Sequence, residues 1–208
     1  MSKSDKGGLV LTATHPGVDV TPLVDGDNVS WIPRILAGDD QGQYGACAMF
    51  TMANWVEIMT GRAISDTDVI DLYLETLERC HLPENSGLRF SQAFDAAVFA
   101  HWIPGNKGLV AVRDLTTLVD GPIFAGYAVT DAWARVSTQG CLDHDPSLTL
   151  VSGHHAVLVI GKGVLSHLDG GPYVWIENSW SWKWGWNGIG VMEDALHRKT
   201  CKELWAIV

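Results

Sequence analysis

A chain of 208 residues, 47% apolar and 18% charged, is long enough for one sizeable core or for two small lobes sharing a cleft. A net charge of −10 argues against nucleic acid and against an anionic membrane surface, because Lys and Arg gather only at His197-Arg198-Lys199 and Lys202. No window reaches the roughly 18 uninterrupted apolar residues of a membrane helix. The apolar stretch 9–13 is too short for a secretion-signal core, so a cytoplasmic protein, or one released by another route, is the expectation.

Residues 1–30 carry Pro16, Pro22 and the turn Asp25-Gly26-Asp27-Asn28, and read as an irregular segment wrapping the surface. Trp31 and Ile32 are a short apolar anchor. Next comes Gln41-Gly42-Gln43-Tyr44-Gly45-Ala46-Cys47-Ala48-Met49-Phe50, a glycine-containing turn that delivers one cysteine to the start of an apolar run. That run covers 48–59 and stops at Gly61, a helix-ending residue. A cysteine at a helix N-terminus sits at the positive end of the dipole, which favours thiolate. The Gln41 amide, six residues upstream, is a candidate oxyanion donor to the same point.

Ser65 is placed to cap a second helix, with Asp68 reciprocating. Val69, Ile70, Tyr73, Leu74 and Leu77 then recur at helical spacing as far as Arg79. After a loop at Pro83 and Gly87, residues 88–99 read as a third helix. Beyond Pro104-Gly105-Asn106 the texture changes to short strand-like runs at 109–112, 123–129, 148–151, 156–160, 173–176, 189–192 and 204–208. A helical half followed by a strand-rich half is an α+β signature, with a cleft between the halves as the natural site.

His154 and His155 open the run 156–160, and only one of two strand neighbours can face a given cleft. Asn178, at the end of the next run, is suited to orient an imidazole, and Trp180 to cover that contact. The four cysteines, Cys47, Cys80, Cys141 and Cys201, lack CxxC spacing, so no structural zinc is expected. Asp143-His144-Asp145 reads as a turn before Pro146 rather than a metal site, and no cofactor is called for. Trp175, Trp182 and Trp186 read as packing residues.

Cys, His and Asn in this order, with an upstream Gln, resemble the papain-like cysteine peptidases, the papain and cathepsin family. The nucleophile segment is Gln41 to Phe50, the base segment is His155-Ala156-Val157 with Gly161-Lys162-Gly163, and the third begins Glu177-Asn178-Ser179-Trp180. Weaker echoes are Ser86-Gly87-Leu88 and Gly121-Pro122-Ile123. The resemblance implies a two-lobe fold: a helical lobe over 31–105 carrying Cys47 and an antiparallel barrel-like lobe over 106–208 carrying His155 and Asn178. It implies Cys47 as nucleophile, His155 as base, Asn178 as its orienter, Trp180 as shield, and Gln41 with the Cys47 N–H as oxyanion hole. Ser86 and Gly87 would bind substrate backbone, Leu88 and Ala156 would line an apolar pocket, and Trp184 would sit on the leaving-group side.

Departures from the family pattern are Tyr44 in place of a disulfide cysteine, Ala48 in place of a tryptophan, His154 before the base, Ser86 in place of a glycine, and Glu177 in place of a lysine. No inhibitory propeptide is visible in the 46 residues before Cys47, so control would fall to location, timing or a partner such as an inhibitor protein. The expected function is hydrolysis of protein or peptide. The alternatives are a papain-fold structural or binding component of a larger assembly, and a specialised peptidoglycan or isopeptide hydrolase.

Overall fold

A computed structural model of the chain describes residues 9–12, 15–16, 28–34, 38–136, 140–142, 149–164 and 172–208. The turn expected at Asp25 and the Asp143-His144-Asp145 turn lie outside the described residues, apart from Asn28.

Helix α1 (Cys47–Thr60) is buried without a break from Cys47 to Ile58, which fits a run apolar on almost every face. It ends at Gly61, whose φ of 72° carries its N–H back to Glu57 O. Helix α2 (Asp66–Arg79) starts on Ser65, whose hydroxyl accepts from Asp68 N and donates to the Asp68 carboxylate at 2.7 Å. Helix α3 (Phe90–Phe99) begins two residues later than the apolar pattern suggests, because Arg89 holds the cap position and donates its N–H to Gln92 Oε1.

The strands are β1 (Val29–Ser30), β2 (Leu109–Val112), β3 (Ile123–Thr130), β4 (Cys141–Leu142), β5 (Leu150–Val164), β6 (Pro172–Glu177), β7 (Ile189–Glu193) and β8 (Cys201–Ile207). They form one sheet in the order β2-β8-β3-β5-β6-β7-β4, with β1 added to β5. Only the β4–β7 pairing is parallel. The architecture is α+β as read, but the sheet path ends at β2 and β4 and does not close into a barrel among the described residues. The runs expected at 148–151 and 156–160 are one strand, since His154 and His155 stay paired with Ala128 and Tyr127. Two short helices, α4 (Ala132–Arg135) and α5 (Asp194–Thr200), carry too little periodic apolar pattern to be read in advance.

Alternation along β5 separates two cores. Ala156, Leu158 and Ile160 pack with the three helices, whereas Val157 and Val159 pack with Tyr127, Trp133, Trp180, Trp184 and Leu196 on the other side. None of the four cysteines forms a disulfide among the described residues. No helix is long and apolar enough to cross a membrane among the described residues.

Gly61→Ala isolates the cost of the left-handed end of α1, because no atom lies within 4 Å of the methyl it would add. We expect a loss of about 1 kcal/mol in urea unfolding. An unchanged midpoint would show that the α1 end relaxes freely.

Candidate active site

Cys47 is the first residue of α1 and Ala156 lies in the middle of β5, and these two elements meet where the Ala156 N–H donates to Cys47 Sγ at 3.5 Å. His155, one residue earlier, faces the other way along the strand. Its Nε2 lies 2.7 Å from Asn178 Oδ1, and its ring centroid is 4.7 Å from that of Trp180. An amide oxygen can only accept, so the ring proton sits on Nε2, leaving Nδ1 for base chemistry. His154 instead is half-exposed, and burial lowers its affinity for a proton. Of the two neighbouring histidines, His155 is the one that meets Asn178 and Trp180.

Gln41 arrives by backbone pairing. Residues 39–41 run antiparallel to 179–181, with Gln41 N donating to Ser179 O at 2.9 Å and Ser181 N to Asp39 O at 2.8 Å. Two bonds fix its side chain: Ser179 Oγ donates to Gln41 Oε1 at 2.7 Å, and Gln41 Nε2 donates to Tyr44 O at 2.8 Å. A primary amide carries two N–H groups. Asn85 clamps the same turn from the far side, accepting from Gly45 N at 2.6 Å and donating to Gln43 O at 3.2 Å. The neighbouring Ser86 carbonyl is taken by the Tyr73 hydroxyl at 2.7 Å. Leu88 and Ala156 are buried, and Ser86 and Gly87 partly so.

Trp184 does not line an open surface. It is buried, stacks on Trp133 and donates its indole N–H to Trp133 O at 2.9 Å. The exposed indoles of this segment are Trp182 and Trp186. Trp133 also meets the His155 ring edge-on at 5.7 Å. It was invisible in sequence because a four-residue helix gives no pattern.

Cys47, His155 and Gln41 each have 0% of their surface exposed and Asn178 has 1%. Part of the cover comes from an unanticipated source. Leu9, expected on a surface-wrapping segment, is buried and donates its N–H to His154 O at 3.1 Å, while Val10 N donates to Leu88 O at 3.1 Å. Thr12 N continues to the Glu203 carboxylate at 3.0 Å, and His15 Nε2 lies 2.8 Å from Leu204 O. Residues 9–12 therefore form a strap from the Leu88 loop to β8, against the residue that precedes His155.

Beneath the Gln41 loop lie four carboxyl groups. Burial is the main cause that pushes Asp39 up to about 9 and Glu177 up to about 8, with neighbouring carboxylates adding to both. Glu57 and Asp66 are raised for the same reason. Asp66 accepts from Asp40 N at 3.2 Å and Glu57 from Ile64 N at 2.6 Å. The described residues contain no cluster of His, Cys, Asp and Glu arranged to hold a metal ion.

Comparison with known proteins gives the same picture. Residues 112–203 match the family model described as papain family cysteine protease. The fold matches xylellain, a cysteine protease from Xylella fastidiosa, with a TM-score of 0.67 at 17% identity, covering 99% of this chain and 96% of that one. The fold is papain-like. A digestive procathepsin L2 from the larval midgut of Tenebrio molitor aligns at TM-score 0.65 and 16% identity, covering 97% of this chain and 78% of that one. A procathepsin B from Trypanosoma congolense aligns at TM-score 0.64 and 16% identity, covering 99% and 86%. No curated protein matches the sequence. The expected resemblance thus agrees with a family pattern over residues 112–203 and with the fold of these solved structures.

The carboxyl groups give a pH prediction. The unfolded chain releases these protons near pH 4, but the fold keeps those of Asp39 and Glu177 to about 9 and 8. Stability should therefore be greatest in acid and fall as pH rises through that window. Thermal melting of Glu177→Gln should show a shallower fall than the parent. An equally steep fall would remove Glu177 from the account.

Proposed function

We propose that the chain is a thiol endopeptidase that hydrolyses protein or peptide through Cys47, His155 and Asn178. The observation that carries this reading is the meeting of α1 and β5, with the Cys47 sulfur 3.5 Å from Ala156 N and His155 bonded to Asn178 at 2.7 Å. The proton held on Nε2 by Asn178 leaves Nδ1 to take the thiol proton, and the imidazolium stabilises the thiolate. Trp180 and Trp133 keep water from the His155–Asn178 bond, which strengthens it. Cys47 attacks the scissile carbonyl, His155 returns the proton to the leaving amine, and water then releases the acyl-enzyme.

The oxyanion would be held by the Cys47 backbone N–H and the second amide proton of Gln41, whose plane Ser179 and Tyr44 fix. Substrate backbone would lie along Ser86 and Gly87, with side chains against Leu88 and Ala156. Trp184, buried on Trp133, would support Trp180 rather than touch substrate. The strap uses the Leu88 and His154 carbonyls, groups that an extended peptide would also use, so it must leave before substrate binds. Control of activity then begins within the chain itself.

Two tests follow. The alkylation rate of Cys47 should already be high near pH 5–6 and lose that reactivity in His155→Ala; a rate that rises only with a pKa of about 8.5, as for a free cysteine, would sink the peptidase reading. Gln41→Ala should lower kcat about 10²- to 10³-fold. Separately, Leu9→Asp places a charge in the buried position of the strap and should speed Cys47 alkylation at fixed pH. Equal rates in the parent and Leu9→Asp would show that the strap does not restrict access.

A further inference from the structure

Glu177 lies opposite Leu158 on β5, so it shares the face on which Ala156, Leu158 and Ile160 pack against the helices. The next residue, Asn178, meets His155. The end of β6 therefore touches α1 through one side chain and the imidazole through the next. On α1 its partner is Asn54, which hydrogen-bonds the Glu177 carboxyl. Asn54 follows Cys47 by seven residues, two turns along the same side of the helix and about 10 Å away. Helix α1 is thus pinned to the sheet twice, at Cys47 by the Ala156 N–H and at Asn54 by Glu177.

The second pin calls for a proton. Glu177 is 4% exposed and Asn54 2%. Glu177 Oε2 and Asn54 Oδ1 both lack a hydrogen-bond partner among the described residues. Both atoms are acceptors, and two buried acceptors in one bonded pair, with no donor for either, are costly. A carboxylic acid and a primary amide resolve this with one proton. The amide N–H donates to one carboxyl oxygen, and the carboxyl O–H donates to the amide oxygen. The surrounding charges favour that proton: Glu57 on α1 repels a charge on Glu177, and Glu177 repels one on Asp39 in the Gln41 loop. Asp66, at the start of α2, acts on Asp39 and Glu57 in the same sense. The residues opposite Glu177 on β5 and β7 are Leu158 and Ile189, which carry no charge.

We propose that Glu177 is a positioning residue: protonated, it pairs with Asn54, clamps α1 to the end of β6, and so sets Cys47 against His155 and Asn178. Loss of the proton puts a charge against the Asn54 oxygen, and the pair opens. The helix that carries Cys47 and the strand end that carries Asn178 then drift apart. The chain hydrolyses peptide only while this carboxyl is neutral. The alkaline end of activity therefore belongs to Glu177 as well as to the imidazolium of His155. This inference rests on the peptidase reading and adds a residue that acts through its triad.

The test is peptide hydrolysis by the full chain and by Glu177→Gln from about pH 6 to 9.5, with the folded fraction followed by circular dichroism. Each is measured with and without Leu9→Asp, so that the strap does not mask the result. The ratio of kcat in Glu177→Gln to kcat in the parent removes the contribution of His155, which both share. The fold keeps the Glu177 proton to about 8. Between about pH 7 and 9 that ratio should therefore rise about tenfold, with the ratio of KM values unchanged. Glu177→Ala, which makes neither bond, should lower kcat across the range. Independently of activity, the infrared difference between parent and Glu177→Gln should show a protonated-carboxyl band at neutral pH that is lost in alkali. A flat kcat ratio, or no such band, overturns the clamp and leaves the peptidase reading standing. A melting temperature that calcium raises in the parent but not in Glu177→Gln puts a cation in place of the proton and also overturns it. No hydrolysis by either chain in either background overturns the peptidase reading and this inference with it.

Discussion

The contact on which the rest of the site depends is the seam between the N-terminal end of α1 and the middle of β5. Cys47 is fixed by a helix buried along nearly its whole length, so its position follows from core packing rather than from a loop. β5 is the most extensively paired strand, holding β1, β3 and β6. Where these two rigid elements touch, a backbone N–H reaches the sulfur and the preceding side chain is an imidazole. Asn178 and Gln41 are then drawn in through hydrogen bonds to neighbouring segments: Asn178 N donates to Gly188 O, and the 39–41 loop pairs with 179–181. Residues separated by more than a hundred positions are thus held by backbone ladders, which tolerate little drift.

The carboxyl groups below the Gln41 loop run against ordinary core chemistry. Asp39, Asp66, Glu57 and Glu177 come from four different segments, and all four hold their protons more tightly than a solvated acid would. Asp39 and Glu177, which hold their protons to about 9 and 8, cease to repel each other when neutral, and a protonated carboxyl becomes a donor as well as an acceptor. Their removal from water lowers stability at neutral pH, yet they flank both ends of the 39–41 and 177–181 pairing that holds Gln41. Asn54, on the same helix as Cys47, hydrogen-bonds Glu177.

Motif spacing made the central residues legible. Cys47 at the head of an apolar run, Ser65 as a cap, and Asn178 followed by Trp180 are local patterns with local causes, and the structure keeps each of them. The merged strand β5 was missed because Gly153 and two histidines look like a break, although ladder pairing with β3 runs through His154 and His155. Trp184 fell elsewhere because its burial depends on Trp133, in a helix too short to announce itself. Ser179 stood in the recognised motif without a role, since only the meeting with Gln41 reveals one.

The strap sets how tightly the site is closed. Three backbone hydrogen bonds from Leu9, Val10 and Thr12 contribute about 1 kcal/mol each. Burial of Leu9, with part of Leu11, adds roughly 3 kcal/mol. Ordering four residues costs about 1.5 kcal/mol each, so the gains and the cost nearly cancel. A strap near balance covers the site at little net stability, and its tether gives it a high effective concentration against weak competitors.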